Sequence, residues 1–198
     1  PLESYQADGH QPPTEGLVAG IKGADLAEEY KTILGERPDG STYTYKEWER
    51  QHGHYSVSLK SWWPKWVTDW PPNGGYTGEP VVFSSVDDYV KEFGGDVDRI
   101  GDPRGNYLGA IEGGKPASFE ARSLKPTSVN DYYYQYEFTG EQLPEGWTIK
   151  SGKVAGWGQQ PGGATQLQVL GDDGEPVSVN RLLQEGILKG KDKPVGLP

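Results

Sequence analysis

Apolar positions along this chain recur every three or four residues up to about residue 95 and every second residue beyond it. That change predicts helices first and strands later. Across residues 24–34, Leu26, Tyr30, Ile33 and Leu34 lie at helical spacing and Gly35 supplies a stop. Thr44 and Glu47 have capping-box spacing, with Tyr45 and Trp48 on one face of a second short helix. A third helix is predicted over residues 85–93. Ser85 caps it, Asp87 and Asp88 favour its positive start, Val86, Tyr89, Val90 and Phe93 form its apolar stripe, and Gly94-Gly95 ends it. Further on, Tyr132, Tyr134, Tyr136 and Phe138 alternate with Tyr133, Gln135, Glu137 and Thr139, the pattern of a half-buried strand. Residues 147–150 and 153–156 flank Ser151-Gly152 and read as a hairpin; Thr165–Leu170 reads as another strand. A short helix over 181–185, stopped by Gly186, precedes a Lys-rich tail.

This order implies an α+β fold, with an N-terminal helical extension packed on a C-terminal, mostly antiparallel twisted β-sheet with few short helices. Residues 1–23, rich in Gly, Pro and polar groups, read as a loosely ordered arm. Trp62, Trp63, Trp66 and Trp70 fall within ten residues, as a docking surface between subdomains or a ligand platform. The Trp70-Pro71-Pro72-Asn73-Gly74-Gly75 stretch then forces a change of direction. The boundary is placed there, between an extension over residues 1–69 and a domain over 70–198.

Composition narrows the function. The 198 residues suit one core with a small appendage, and seven Trp and twelve Tyr supply large side chains despite a mean hydropathy of -0.74. A net charge of -10 leaves no electrostatic footprint for nucleic acid or an anionic membrane. The absence of cysteine excludes a disulfide framework, a thiol nucleophile and cysteine-bound zinc. There is no 18-residue apolar run and no signal-peptide pattern in residues 1–20, and the lack of Met even at position 1 fits a processed or excised segment.

Candidate chemistry gathers in two Gly-rich stretches. The first holds Asp98-Arg99-Ile100-Gly101 and then Gly105-Asn106-Tyr107-Leu108. The second runs from Gly156-Trp157 through Pro161-Gly162-Gly163-Ala164-Thr165-Gln166, and Arg122 lies between them on a predicted strand. A D-R-x-G element, a G-x-Y-L element, an Arg about twenty residues on, a P-G-G-x-T-Q element and the preceding W-P-P-N-x-G stretch stand in order. In that order and spacing the chain resembles the tuberculosis necrotizing toxin family of NAD glycohydrolases, over roughly residues 70–188. Ile100 departs from the aromatic usual there.

The resemblance implies cleavage of NAD to nicotinamide and ADP-ribose by the toxic module of a secreted protein that acts in a target cell's cytosol. NADP is a second candidate substrate, an inhibitory immunity protein a candidate partner, and no cofactor is required. Residues matching Arg99, Tyr107, Arg122 and Gln166 are linked to activity in the family. On that basis Arg99 and Gln166 are the candidate catalytic residues; Tyr107, Arg122, Trp157, Gly162 and Gly163 are candidates for binding substrate. Guanidinium groups suit a pyrophosphate, and glycines let backbone amides approach a ligand. A neutral amide suits a reaction whose leaving group needs no general acid.

Plain structural readings stand beside these. Arg99 could pair with Asp98 or Asp96, Gly162-Gly163 could be a tight turn, and Gln166 an ordinary strand glutamine sharing a face with Gln168. His52-x-His54 reads as surface in preference to a metal site, as does His10; Asp172-Asp173-Gly174-Glu175 reads as a solvated turn in preference to a calcium clip. An ADP-ribosyltransferase, or a carbohydrate-binding module using the Trp62–Trp70 platform, are the competing functions.

Overall fold

The computed structural model describes residues 12–58 and 62–197. Residues 1–11 of the N-terminal arm, with His10, and residues 59–61, which reach only the start of the Trp-rich stretch, lie outside them. The described chain builds one eight-stranded antiparallel sheet: β1 (Leu17–Lys22), β4 (Val81–Phe83), β5 (Asp96–Ile100), β6 (Leu108–Ala110), β7 (Tyr132–Phe138), β8 (Thr148–Lys153), β9 (Thr165–Leu170) and β10 (Leu188–Gly190). Their order is β1-β7-β5-β6-β9-β8-β4, and β10 also pairs with β7. A separate hairpin joins β2 (Gly53–Ser56) to β3 (Lys65–Thr68). The α-helices are short: α1 (Tyr30–Leu34), α2 (Tyr45–Gln51), α3 (Val86–Phe93) and α4 (Val179–Gln184). The α+β reading therefore holds, and the residues 12–23 expected in an unpaired arm instead contribute the edge strand β1.

One face of the sheet carries the larger core. Val86 and Tyr89 of α3 and Val179 and Leu182 of α4 pack on Val97, Leu108, Tyr134, Tyr136, Ile149, Leu167 and Val169. The stripe read for residues 85–93 is this contact, and Ser85 caps α3 by accepting from the Asp88 amide at 3.1 Å. The opposite face is covered too. Val18, Leu26, Ile33, Phe119 and Val129 pack around Ile100 and Tyr133. β7 is consequently not half-buried as its alternation suggested: Tyr133 and Gln135, on the face expected in water, are both 0% exposed.

Two further expectations change. Residues 24–34 form a 3-10 turn, Gly23–Leu26, and then α1, because Glu120 reaches in and accepts from the Glu28 and Glu29 amides at 3.1 and 2.8 Å. A carboxylate at that point caps the start of α1 and breaks the longer helix. Ser151-Gly152 is no hairpin turn; β8 runs through it, paired to β9 and β4. Gly152 is glycine because a Cβ there would lie 2.9 Å from the Tyr76 ring and 3.3 Å from Pro80.

Candidate active site

Sheet register assembles the site. Gln135, Asp98, Gly109, Gln166 and Gly152 form one row across β7, β5, β6, β9 and β8. Directly opposed residues in adjacent strands point to the same face, so Gln166 stands between two glycines. On one side the space over Gly109 is filled by Asp98 and the Arg122 guanidinium, which a Cβ would approach to 2.5 and 3.0 Å. On the other, Tyr76 lies over Gly152. A cleft with about 380 Å³ of empty space, its open mouth included, is lined here by Arg99, Tyr107, Gly109, Arg122, Leu124 and Gln166 among others.

Arg122 lies in a 3-10 turn, Glu120–Arg122, and not on a strand. Its guanidinium is held by Asp98 at 2.6 and 2.7 Å and by the Ala117 carbonyl at 3.2 Å (Nε) and 2.9 Å (Nη2). Four of the five guanidinium N–H donors make these bonds. Burial opposes the Arg122 charge, and the Asp98 carboxylate more than offsets it, keeping the guanidinium firmly protonated. Asp98 is 0% exposed and also accepts from the Tyr133 hydroxyl at 2.8 Å. Asp98 is the member of this group that the sequence reading passed over, naming it only as a pairing option for Arg99.

Arg99, by strand alternation, leaves β5 on the face opposite Asp98. It pairs with neither Asp98 nor Asp96; Asp96 accepts from Lys191 at 2.8 Å. Its Nε donates to the Asp102 carbonyl and its Nη1 to the Tyr107 carbonyl, both at 2.8 Å. Gly105 leaves room for the guanidinium, since a Cβ would overlap it. Burial lowers the Arg99 pKa from its ordinary value. Arg99 thus braces the loop that presents Tyr107 at the cleft edge. The Tyr107 ring is 36% exposed, and its hydroxyl, with pKa raised by burial, donates to the Gly74 carbonyl at 2.9 Å. Gln166 Nε2 donates to that same carbonyl at 3.3 Å, while Gln168 reaches Asn106.

The remaining candidates lie outside this lining. Gly162 and Gly163 border an adjoining depression that shares Ala164 and Thr165 with the cleft and also carries Glu28, Glu112 and Lys115. Their amides are donated to the carbonyls of Glu120 (3.3 Å) and Val154 (2.9 Å), so neither is a free donor. Trp157 stacks on Trp70 at 4.9 Å, meets Trp48 edge-on at 5.3 Å and donates to the Asp69 carbonyl. Trp70 thus stacks one ring face on Trp157 while staying 60% exposed, and Trp62 and Trp63 are 97% and 80% exposed. Among the described residues no three His, Asp or Glu side chains gather as a metal site, and no helix is long and apolar enough to cross a membrane.

The pattern of motifs within this geometry has a counterpart in known proteins. Residues 92–190, half of the chain, match the family model described as tuberculosis necrotizing toxin. The chain belongs to the tuberculosis necrotizing toxin family. Arg99, Tyr107, Arg122 and Gln166 all fall inside the match. This family member is 32% identical over 166 residues to the outer membrane channel protein CpnT of Mycobacterium tuberculosis, a span of 84% of this chain and 19% of that one. It is 32% identical over 126 residues to the conidial surface nicotinamide adenine dinucleotide glycohydrolase nadA of Aspergillus fumigatus, covering 56% of this chain and 52% of that one. The chain thus spans about a fifth of the length of its mycobacterial relative and about half of the fungal one. Among solved structures, tuberculosis necrotizing toxin complexed with its immunity factor superposes with a TM-score of 0.71 at 29% identity, over 93% of this chain and 98% of that one.

Proposed function

We propose that this chain is an NAD glycohydrolase, releasing nicotinamide and ADP-ribose. The observation that carries the reading is the shared cleft of Gln166, Arg122 and Tyr107 in a chain of this family. Nicotinamide departs as a neutral base and leaves positive charge on the ribose, so catalysis needs an oriented sugar, stabilisation of an oxocarbenium-like state, and water. The cleft suits that demand. Asp98 neutralises Arg122, so no unpaired guanidinium opposes the developing cation.

In this reading Gln166 acts on the nicotinamide-side ribose or the attacking water, and Tyr107 walls off the rings. Arg99 keeps the Tyr107 loop in place, its guanidinium being committed to two carbonyls. The other half of the dinucleotide lies in the adjoining depression, where Gly163 has nothing within 4 Å of its absent Cβ and Lys115 offers a cation to the pyrophosphate. Trp157 contributes by bracing Trp70 at the start of the 70–76 turn. No cofactor enters the scheme. NADP is a further substrate candidate, and the relatives' names, a conidial surface enzyme and a toxin bound by an immunity factor, support secretion and an inhibitory partner for this chain as well.

Incubating the chain with NAD and quantifying free nicotinamide and ADP-ribose tests the reading. Stoichiometric release of both is expected. NAD left intact at high protein concentration defeats it, and label transferred to a protein in place of free ADP-ribose would make the chain an ADP-ribosyltransferase.

A further inference from the structure

The turn between Trp70 and Tyr76 contributes a backbone carbonyl that both Tyr107 and Gln166 contact. Asn73, Gly74 and Gly75 take left-handed backbone in succession, with φ of 55°, 60° and 79°. Asparagine is among the few side chains that tolerate this region. Its Nδ2 secures the turn by donating to the Gly78 carbonyl at 2.6 Å and the Tyr76 carbonyl at 3.4 Å. The turn is also pinned to the end of β8. The Ala155 amide donates to Gly75 O and the Thr77 amide to Lys153 O, each at 2.8 Å.

Held at both ends, the turn presents a fixed carbonyl. Gly74 O accepts from the Tyr107 hydroxyl and from Gln166 Nε2. A carboxamide whose nitrogen is held this way turns its oxygen to the other side, since the reversed orientation would set two acceptors against each other. Which end faces the substrate matters. A centre that becomes positive in the transition state is stabilised by an oxygen and opposed by an N–H.

Resting on the NAD glycohydrolase reading, we infer that Asn73 is a positioning residue for the reaction. Asn73 fixes the Gly74 carbonyl, that carbonyl orients the Gln166 amide and the Tyr107 hydroxyl, and Gln166 Oε1 is the oxygen turned to the ribose and its attacking water. Asn73 and Gly74 precede the 92–190 family match, whereas Tyr107 and Gln166 fall inside it.

The experiment is steady-state NAD cleavage, read as nicotinamide release, on wild type, Asn73→Gly, Tyr107→Phe and the double variant, with thermal melting alongside. Asn73→Gly permits the left-handed backbone and deletes only the amide. Its kcat falls about tenfold or more with KM changed less than about twofold, the signature of an interaction made in the transition state. Because both changes act through one carbonyl, the double variant loses less than the product of the single losses. An Asn73→Gly protein that melts like wild type and turns over equally fast overturns the inference, as do fully multiplicative losses. Should Asn73→Gly fail to fold, Asn73→Asp, which keeps the backbone preference and removes the donor, is held to the same kcat criterion. Wild type that leaves NAD intact removes the activity and this inference together, whereas active wild type beside an equally active Asn73 variant removes this inference alone.

Discussion

Gln166 is a side chain whose loss should be felt in chemistry and hardly at all in folding. It stands between two glycines on the sheet and makes one side-chain bond, to Gly74 O. Truncation leaves no buried cavity. Gln166→Ala is expected to lower kcat about 100-fold or more, the scale of removing one preorganised polar group from an active site, with an unchanged melting temperature. Nicotinamide release beside a thermal melt decides it, and an active variant refutes the role. In isolation Gln166 reads as an ordinary strand residue; only the P-G-G-x-T-Q pattern singles it out. Asp98 is harder still. Its partner Arg122 is 24 residues away, and nothing local distinguishes Asp98 from a carboxylate pairing with its neighbour Arg99.

At the scale of the element, α2 shows local rules working as written. Its capping box is complete, with Glu47 accepting from the Thr44 amide and hydroxyl, each at 2.8 Å, and from Arg37. The Thr44 amide, then the Arg37 and Thr44 side chains, hold the Glu47 carboxyl down from 4.5 to about 2. A depressed carboxylate contributes stability that is whole above its unfolded pKa and lost as pH falls through its folded one. The contribution of Glu47 therefore disappears between about pH 4.5 and 2. Glu47→Gln should lower the melting temperature at pH 7 and flatten its decline across that window; a decline as steep as wild type would show that Glu47 is not the group responsible. α2 was legible because its cap and its buried face, Trp48, lie within one short segment. The long helix over 24–34 was not, because the carboxylate that divides it comes from Glu120.

Across the whole molecule the decisive feature is that the sheet is covered on both faces, which places polar groups in the interior and obliges them to find partners. Asp98 links Arg122 to Tyr133, Tyr133 accepts from Gln135, and Gln135 clasps the C-terminal segment. Its amide donates to the Val195 carbonyl and accepts from the Val195 amide, both at 2.8 Å. A chain lacking residues 192–198 should lose about 1–3 kcal/mol in urea unfolding, the cost of leaving buried polar groups unsatisfied. Unfolding at the wild-type midpoint would show that the tail is not part of the folded unit.

By itself the amino-acid sequence determined what depends on short spans: the caps of α2 and α3, the stops of α3 and α4, the strand character of β7 and β9, and the ordered motifs that mark the family. These follow from periodicity, capping chemistry and glycine placement, which act over a few residues. Tertiary structure decided what depends on strands meeting across the sheet. It set the register that puts Asp98, Gly109, Gln166 and Gly152 in one row, turned Ser151-Gly152 from an apparent hairpin into a strand, and buried the second face of β7. It also brought the Gly74 carbonyl to Tyr107 and Gln166. The physical reason is that pairing and burial are non-local: a glycine looks the same in sequence whether it makes a turn or makes room for another residue's side chain.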